Sequence, residues 1–126
     1  MLPAELPSSA ALSFLGDAVH SRYIREMLVR EGHSHAKDLN RLAQEYVTAE
    51  AQAAAWERIA SHITEEEEGV FRRAANSTHL NRPRHTAGKT YRVASGFEAV
   101  LGMLAYVGDE GRIETLLALA YPKTNS

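Results

Sequence analysis

Hydrophobic residues recur every three or four positions along most of the chain, which is the period of an α-helix. The first apolar stripe follows a potential N-cap, Ser8 or Ser9, and ends before Gly32, a residue suited to the position just beyond a helix. Its members are Leu12, Leu15, Val19, Tyr23 and Met27. No segment keeps the period of two that a half-buried β-strand shows. The pattern therefore predicts an all-α fold.

Polar residues indicate where the next three helices begin. Ser34 is suited to cap the second helix, and Thr48 is suited to begin a third through AEAQAAAWERIA, because alanine is the best helix former. Thr64 and Glu67 form the T-x-x-E pattern of a capping box at the start of the fourth. The helix dipole explains the acidic run at 65–68, so we assign that run no catalytic role.

The helical pattern breaks after Asn76 and returns near Tyr91. The stretch between them, STHLNRPRHTAGK, contains proline and glycine and has no periodicity, which predicts a loop, and loops of this length are usually functional or mobile. A helix through FEAVLGMLAYV to Gly108 and a last helix at about 110–120 complete the prediction. Because no repeat or linker divides the chain, we expect one domain over residues 1–126.

Composition narrows the class of protein. The 126 residues include no cysteine, which excludes disulfides and thiolate metal sites. The six histidines show no zinc-ligand spacing and are predicted to lie on the surface. No apolar run is long enough to span a membrane, and the first residues lack the pattern of a secretory signal. We therefore expect a cytoplasmic protein.

Basic residues are concentrated in one part of the chain, although the net charge is −2. Residues 69–97 contain no Asp or Glu, and such asymmetry can create a nucleic-acid-binding face. Its cations are Arg72, Arg73, Arg82, Arg84, Lys89 and Arg92. We rank Arg82, Arg84 and Lys89 first, because the loop's proline and glycine should keep them in solvent, and the other three lower because they lie on flanking helices. A solvated basic loop without a partner is the alternative.

Two carboxylates lie in unusual surroundings. Asp17 interrupts the middle of the first helix, in LSFLGDAV, where aspartate is a poor helix former. Glu98 is the only acidic residue at 69–108 and lies in a helix that is apolar nearly all round, which predicts burial. A buried carboxylate needs a partner or a raised pKa.

Several roles for these carboxylates remain open. Gly16 and Asp17 could end one helix and cap another, and Glu98 could be favoured by the helix dipole or could pair with Arg92. A shared Mg²⁺ site is a further alternative, since Mg²⁺ commonly takes one or two carboxylates together with waters and substrate phosphate. Such an ion would activate water for attack on a phosphodiester.

Several segments resemble one family. ALSFLGDAVH resembles the signature helix of the ribonuclease III family, E-R-L-E-F-L-G-D-A-V, and ASGFEAVLGMLAYVGD resembles that family's second site helix. VTAEAQA, ITEEEEGVFRRAAN and TYRVASGFEAVLGMLAYVG are similar to stretches of its short branch, Mini-ribonuclease III. The resemblance covers essentially the whole chain in order, and we therefore expect no double-stranded-RNA-binding domain.

The resemblance implies an all-α, homodimeric endoribonuclease whose two sites face one groove and each cut one strand of an RNA duplex. Asp17 matches the signature aspartate and Glu98 the metal-binding glutamate, so both are implied to be catalytic and to bind Mg²⁺, with Mn²⁺ as a substitute. Phe14 matches the residue that inserts into the partner subunit. The implied substrate is the precursor of 23S ribosomal RNA, matured at its ends with help from a large-subunit ribosomal protein.

The sequence departs from the larger enzymes at three acidic positions, which fall on Ala10, Ser13 and Ser95. The Ser95 departure is shared by the short branch. A second metal ion would therefore need RNA phosphates as ligands.

Two other functions remain as alternatives. One is a non-catalytic RNA-binding or ribosome-assembly module with the same fold, which metal-dependent cleavage of duplex RNA would exclude. The other is a helical adaptor for an acidic protein, which would lack the steep salt dependence of nucleic-acid binding.

Overall fold

The computed structural model describes residues 5–77 and 88–122, and within those residues it contains helices and no strand. The helices are α1 (Ser9–Arg30), α2 (Ala36–Val47), α3 (Ala49–Ile59), α4 (Glu65–Ser77), α5 (Gly88–Tyr106) and α6 (Glu110–Ala120), with a single 3₁₀ turn at Ala60–His62. The predicted all-α fold is confirmed. None of the described helices is both long and apolar enough to cross a membrane.

Local sequence signals set most of the helix ends. The hydroxyls of Ser8 and Thr48 each accept a hydrogen bond from the backbone N–H three residues later, which confirms both as N-caps. Thr64 and Glu67 form the predicted reciprocal capping box, with donor–acceptor distances of 2.9 and 3.1 Å. Gly32 has φ 97° just beyond α1, a left-handed conformation that glycine adopts without a steric penalty.

Two predicted helix starts were wrong. The N-cap of α2 is His35, in extended conformation and without a side-chain capping bond, rather than Ser34. Helix α5 begins at Gly88 rather than near Tyr91, so Lys89 lies in a helical turn instead of the predicted loop. Glycine is tolerated at helix N-termini, where few backbone contacts depend on a side chain, and it therefore marks the end of a loop poorly.

Helix α5 is the centre of the fold, and α1, α3 and α4 pack around it. At one point α1 and α5 are in backbone contact. A Cβ atom at Gly16 would lie 1.6 Å from the carbonyl oxygen of Glu98, and one at Gly102 would lie 1.9 Å from that of Leu12. Gly16 is therefore a close-approach residue within a continuous helix, and the alternative that Gly16 and Asp17 separate two helices is wrong.

This crossing also decides which face of α1 is buried. The buried residues of α1 follow a strict four-residue line: Leu12, Gly16, His20, Ile24 and Leu28. Apart from Leu12, which belongs to both, the predicted stripe lies beside this line, and Leu15 within the stripe is exposed. The physical reason is that Gly16 lets the backbone of α5 approach α1 closely, so the α1 residues in line with Gly16 face α5 and are buried.

His20 lies on the buried line, so the prediction that every histidine lies on the surface was wrong. Its Nε2 atom is 2.6 Å from the hydroxyl oxygen of Tyr121, and burial lowers its pKa to about 4.

Candidate active site

The helix crossing places the two predicted carboxylates together. Asp17 follows Gly16 on α1 and is exposed, and Glu98 is the α5 residue whose backbone contacts Gly16. Both side chains line one open cavity of about 340 Å³. The complete lining is Ala10, Ser13, Phe14, Asp17, Ser77, Tyr91, Ser95 and Glu98.

Glu98 is electrostatically unusual. Burial, followed by hydrogen bonding to and repulsion from Asp17, raises the pKa of Glu98 to about 8. The Gln52 amide opposes this shift by donating from Nε2 to Glu98 Oε2 at 3.3 Å. The alternative that Glu98 pairs with Arg92 is not what the structure shows, since Glu98 faces Asp17 and Gln52 instead. Two carboxyl groups this close favour a shared proton or a cation between them.

Gln52 was missed from the sequence because it lies in an alanine-rich segment without an obvious motif. It is 2% exposed and lines a second cavity, of about 410 Å³, that adjoins the first at Tyr91, Ser95 and Glu98. One signal could have revealed it. Gln52 shares a helical face with Ala55, Trp56 and Ile59, which are apolar and buried, so a lone amide at that position requires a polar partner.

Two serines occupy the same cleft. The Ser13 hydroxyl donates to the backbone carbonyl of Ser95 at 2.9 Å, and Ser95 is buried. Both positions, which the resemblance compares with acidic residues of larger enzymes, thus carry neutral side chains, and the Ser13 hydroxyl links α1 to the α5 backbone. Within the described part of the chain, no cluster of three or more Asp, Glu, His or Cys residues could hold a metal ion. Asp17 and Glu98 are the two acidic residues that line this cavity.

The predicted RNA-binding residues are only partly described. Arg72, Arg73, Lys89 and Arg92 are all exposed, the first two on α4 and the others on α5. Arg72 forms an ion pair with Glu68 at 3.0 Å, which leaves it less available to a phosphate. Arg82 and Arg84 lie outside the described residues.

Phe14 borders the cleft and is 84% exposed, an unusual state for an aromatic residue in the middle of a helix. Ala11, Leu15 and Ala18 are exposed on the same side of α1. Together these four residues form an apolar face, which we call the α1 face.

Comparison with known proteins assigns the class. Residues 10–109 match the family model described as the ribonuclease III domain. The chain belongs to the ribonuclease III family, and it is an endoribonuclease of that class.

Three similar relatives belong to the short branch. Over 113 residues the chain is 37% identical to the Mini-ribonuclease 3 of Thermoanaerobacter sp., covering 90% of this chain and 80% of the relative. It is 36% identical to that of Symbiobacterium thermophilum (94% and 90% covered) and 34% identical to that of Streptococcus pneumoniae (98% of each). These similarities confirm the resemblance to Mini-ribonuclease III.

A solved structure has the same fold. A crystal structure of a protein from Fusobacterium nucleatum aligns with a TM-score of 0.83 at 27% identity, over 92% of this chain and 94% of that one. The arrangement of helices that forms the cleft is therefore shared with an experimentally determined structure.

Proposed function

We propose that this endoribonuclease cleaves double-stranded RNA and that Asp17 and Glu98 hold the Mg²⁺ that the reaction needs. The observation that carries the proposal is the pairing of these carboxylates in an open cleft, where burial and Asp17 raise the pKa of Glu98 to about 8. Such strong perturbation in a cleft is typical of functional groups. A divalent cation would neutralise both carboxylates and remove their repulsion.

The oxygen ligands available fit Mg²⁺, which is commonly bound by one or two carboxylates, waters and substrate phosphate. When bound, the ion would supply an activated water and stabilise charge on the leaving oxygen. The chain's own contribution is to orient the ligands: Asp17 lies at the exposed rim and Glu98 deeper, fixed by the helix crossing. A second ion would take its remaining ligands from RNA phosphates.

Cleavage of matched substrates tests this proposal. Purified protein is incubated with a long RNA duplex, with either strand alone and with DNA duplex of the same sequence, in Mg²⁺, Mn²⁺ or EDTA. We expect the protein to cleave only the RNA duplex among these substrates, and to do so in Mg²⁺ and in Mn²⁺ but not in EDTA. Mn²⁺ should substitute because it prefers similar oxygen ligands. Duplex binding without cleavage in either metal would contradict the proposal and favour the non-catalytic RNA-binding module.

Exposed cations near the cleft should bind the substrate. Lys89 and Arg92 lie on α5, the helix that carries Glu98, and Arg73 lies on α4, which packs against it. A-form RNA is recognised mainly through phosphates and 2′-hydroxyls, which suits exposed Arg and Lys side chains. Arg82 and Arg84, between these two helices in sequence, are assigned the same role, and Arg72 a weaker one.

The salt dependence of binding tests this assignment. Replacing Arg82, Arg84 and Lys89 together with glutamine should weaken duplex binding and reduce the slope of log affinity against log salt by nearly one unit per lost phosphate contact. Cleavage at saturating RNA should fall much less. A control triple variant, Arg30→Gln, Lys37→Gln and Arg41→Gln, removes the same charge from α1 and α2. If both triple variants have the same effect, the RNA does not lie on the proposed face.

The α1 face supports a homodimer in which two copies bury Phe14. Exposed contiguous apolar surface commonly marks an interface, and an isologous contact places the same residues of both copies near one twofold axis. Since Phe14 also borders the cleft, such a dimer would bring two cleavage sites to one groove.

Sedimentation tests the dimer directly. Phe14→Ala should weaken association by about 2 kcal/mol or more, as truncation of a central aromatic anchor usually does. Val29→Ala, at an exposed apolar position near the end of α1, is the matched control and should leave the dimer intact. A monomeric wild type, or a Phe14→Ala dimer of unchanged strength, would overturn this part of the proposal.

For the natural substrate we propose the duplex ends of precursor 23S ribosomal RNA in the cytoplasm, with a large-subunit ribosomal protein assisting. The membership in the Mini-ribonuclease 3 branch supports this choice. Cleavage sites mapped on precursor transcripts, with and without purified large-subunit proteins, test it. Random cuts along the transcript that no ribosomal protein makes specific would count against it.

A further inference from the structure

Gln52 donates a hydrogen bond to the Glu98 carboxylate, and among the described residues it is the one neutral side chain that does so. It lies near the start of α3, is 2% exposed, and donates from Nε2 to Glu98 Oε2 at 3.3 Å. The contact joins residues 46 positions apart. A buried amide is costly unless it is hydrogen-bonded, so burial holds Gln52 to this partner.

Gln52 and Asp17 both lie next to Glu98, but they line different cavities. Asp17 lines the cavity bordered by Phe14, Gln52 lines the adjoining one, and Glu98 lines both. The carboxylate therefore has an amide donor in the lining of one cavity, which also contains Glu50, and Asp17 in the lining of the other. An amide N–H is a neutral donor, so it can orient a carboxylate oxygen without neutralising the negative charge. The Glu98 carboxylate held by Gln52 can therefore still bind a cation.

We propose that Gln52 is a positioning residue that orients the Glu98 carboxylate for metal binding. This inference rests on the proposed metal site at Asp17 and Glu98 and deepens it. Residues that orient metal ligands through hydrogen bonds commonly change metal affinity by about 10- to 100-fold when they are replaced. In this role Gln52 would act through Glu98 and would contact neither the reacting phosphate nor the ion.

Gln52→Met is the informative variant, because methionine keeps a similar length and helix propensity but removes the donor. We expect calorimetry of the RNA-free protein to show Mn²⁺ binding weakened about tenfold. The Mg²⁺ concentration for half-maximal cleavage should rise in parallel, while KM for RNA and the rate at saturating Mg²⁺ stay close to wild type. Gln44→Met, at an exposed position on α2, should change none of these quantities.

A merely structural role gives a different result. In that case Gln52→Met would lower the Tm in EDTA and leave the Mn²⁺ affinity of the folded protein unchanged, which would overturn the inference. The two proposals also fail separately. A wild type that neither binds Mn²⁺ nor cleaves RNA in Mg²⁺ overturns the proposed metal site and this inference with it, whereas a normal wild type with unchanged metal affinity in Gln52→Met overturns the inference alone.

A measurement on the unmutated protein applies even if Gln52→Met does not fold. The chain has two glutamines, Gln44 and Gln52. In Mg²⁺ titrations followed by NMR, we expect the side-chain amide signals of Gln52 to shift and saturate, and those of Gln44 to stay in place. The Gln52 shift should disappear in Asp17→Asn. An unchanged Gln52 amide signal at saturating Mg²⁺ would overturn the inference.

Discussion

Glu67 and Glu98 are both glutamates on packed helices, yet their surroundings are opposite. Glu67 is 3% exposed and receives two hydrogen bonds from Arg112, at 2.8 and 2.9 Å, and one from the Thr64 backbone. Although burial raises its pKa, these bonds outweigh burial and lower it. Glu98 faces the Asp17 carboxylate, and burial together with that neighbour raises its pKa to about 8.

The difference separates a carboxylate whose partners lie within the protein from one that faces a like-charged neighbour in an open cleft. Glu67 has a full set of partners within the protein, which ties α4 to α6 and requires no ligand. Glu98 has the Gln52 amide as a donor, but it also has a neighbour of its own sign in an open cleft, so a proton or a cation from solution is needed to offset their repulsion. Local arrangements that do not stabilise the fold by themselves are commonly functional sites.

The largest expected effect is on catalysis. Asp17→Asn and Glu98→Gln keep side-chain volume and remove an anionic ligand, so each should lower the cleavage rate at least about a thousandfold, or roughly 4 kcal/mol in the activation barrier. Glu67→Gln should retain the cleavage rate per folded molecule. Initial rates on duplex RNA at saturating Mg²⁺ measure this, and wild-type activity in either site variant would refute the assignment.

The helix crossing that creates the Glu98 environment is the next test. Gly16→Ala puts a methyl group where Glu98 O would lie at 1.6 Å, so α1 and α5 must separate, and we expect a loss of about 3 kcal/mol or more. At Gly69 and Gly111 an added Cβ meets nothing within 4 Å, so alanine there should raise stability by about 0.5–1 kcal/mol. Urea unfolding distinguishes these cases. Equal effects at all three glycines would argue against backbone contact at the crossing.

Stability should respond to Glu67 and Glu98 in opposite directions. Glu67→Gln removes the carboxylate that pairs with the partly exposed Arg112 guanidinium and leaves it the His62 carbonyl, so it should cost about 2–3 kcal/mol. Glu98→Gln in EDTA should be neutral or slightly stabilising, because glutamine is neutral in both the folded and the unfolded state and needs no proton to lie beside Asp17. Denaturation of both variants at neutral pH makes the comparison. A larger loss in Glu98→Gln would mean that Glu98 is a structural residue.

The smallest expected effect is on the pH dependence of stability without metal. The folded-state pKa of Glu98 is about 8, against 4.5 for the ordinary group, so between these values the unfolded chain has lost a proton that the native state keeps. Stability from this group therefore falls as pH rises from about 5 to 8, in total by roughly 1–3 kcal/mol.

Glu67 has the opposite sign. Its pKa is lowered, so its contribution is present at neutral pH and is lost as pH falls through its folded-state pKa. Urea unfolding in EDTA across this range should show a decline toward pH 8 in wild type that is absent in Glu98→Gln. Saturating Mg²⁺ should also remove the decline. A decline of equal size in wild type and Glu98→Gln would assign it to another group.

Much of the secondary structure and two candidate site residues could be predicted from the sequence. Ser8, Thr48 and the Thr64 capping box act within one helical turn, so their consequences are local and readable from neighbouring residues. Asp17 and Glu98 were identifiable because each carboxylate lies among residues that do not suit it. The family resemblance assigned them a common site, whereas their spacing in the sequence was equally compatible with a helix boundary or an ion pair.

The tertiary structure decided what depends on residues far apart in sequence. Hydrophobic periodicity could not show that Gly16 admits the backbone of α5, that this rotates the buried line of α1 onto His20, or that Gln52 reaches Glu98. Each of these facts is a contact between helices, and its physical cause is the shape of the facing surface. The sequence by itself determined where the helices lie and which carboxylates are out of place, whereas only the packing of α1, α3 and α5 decided that those carboxylates share one cleft.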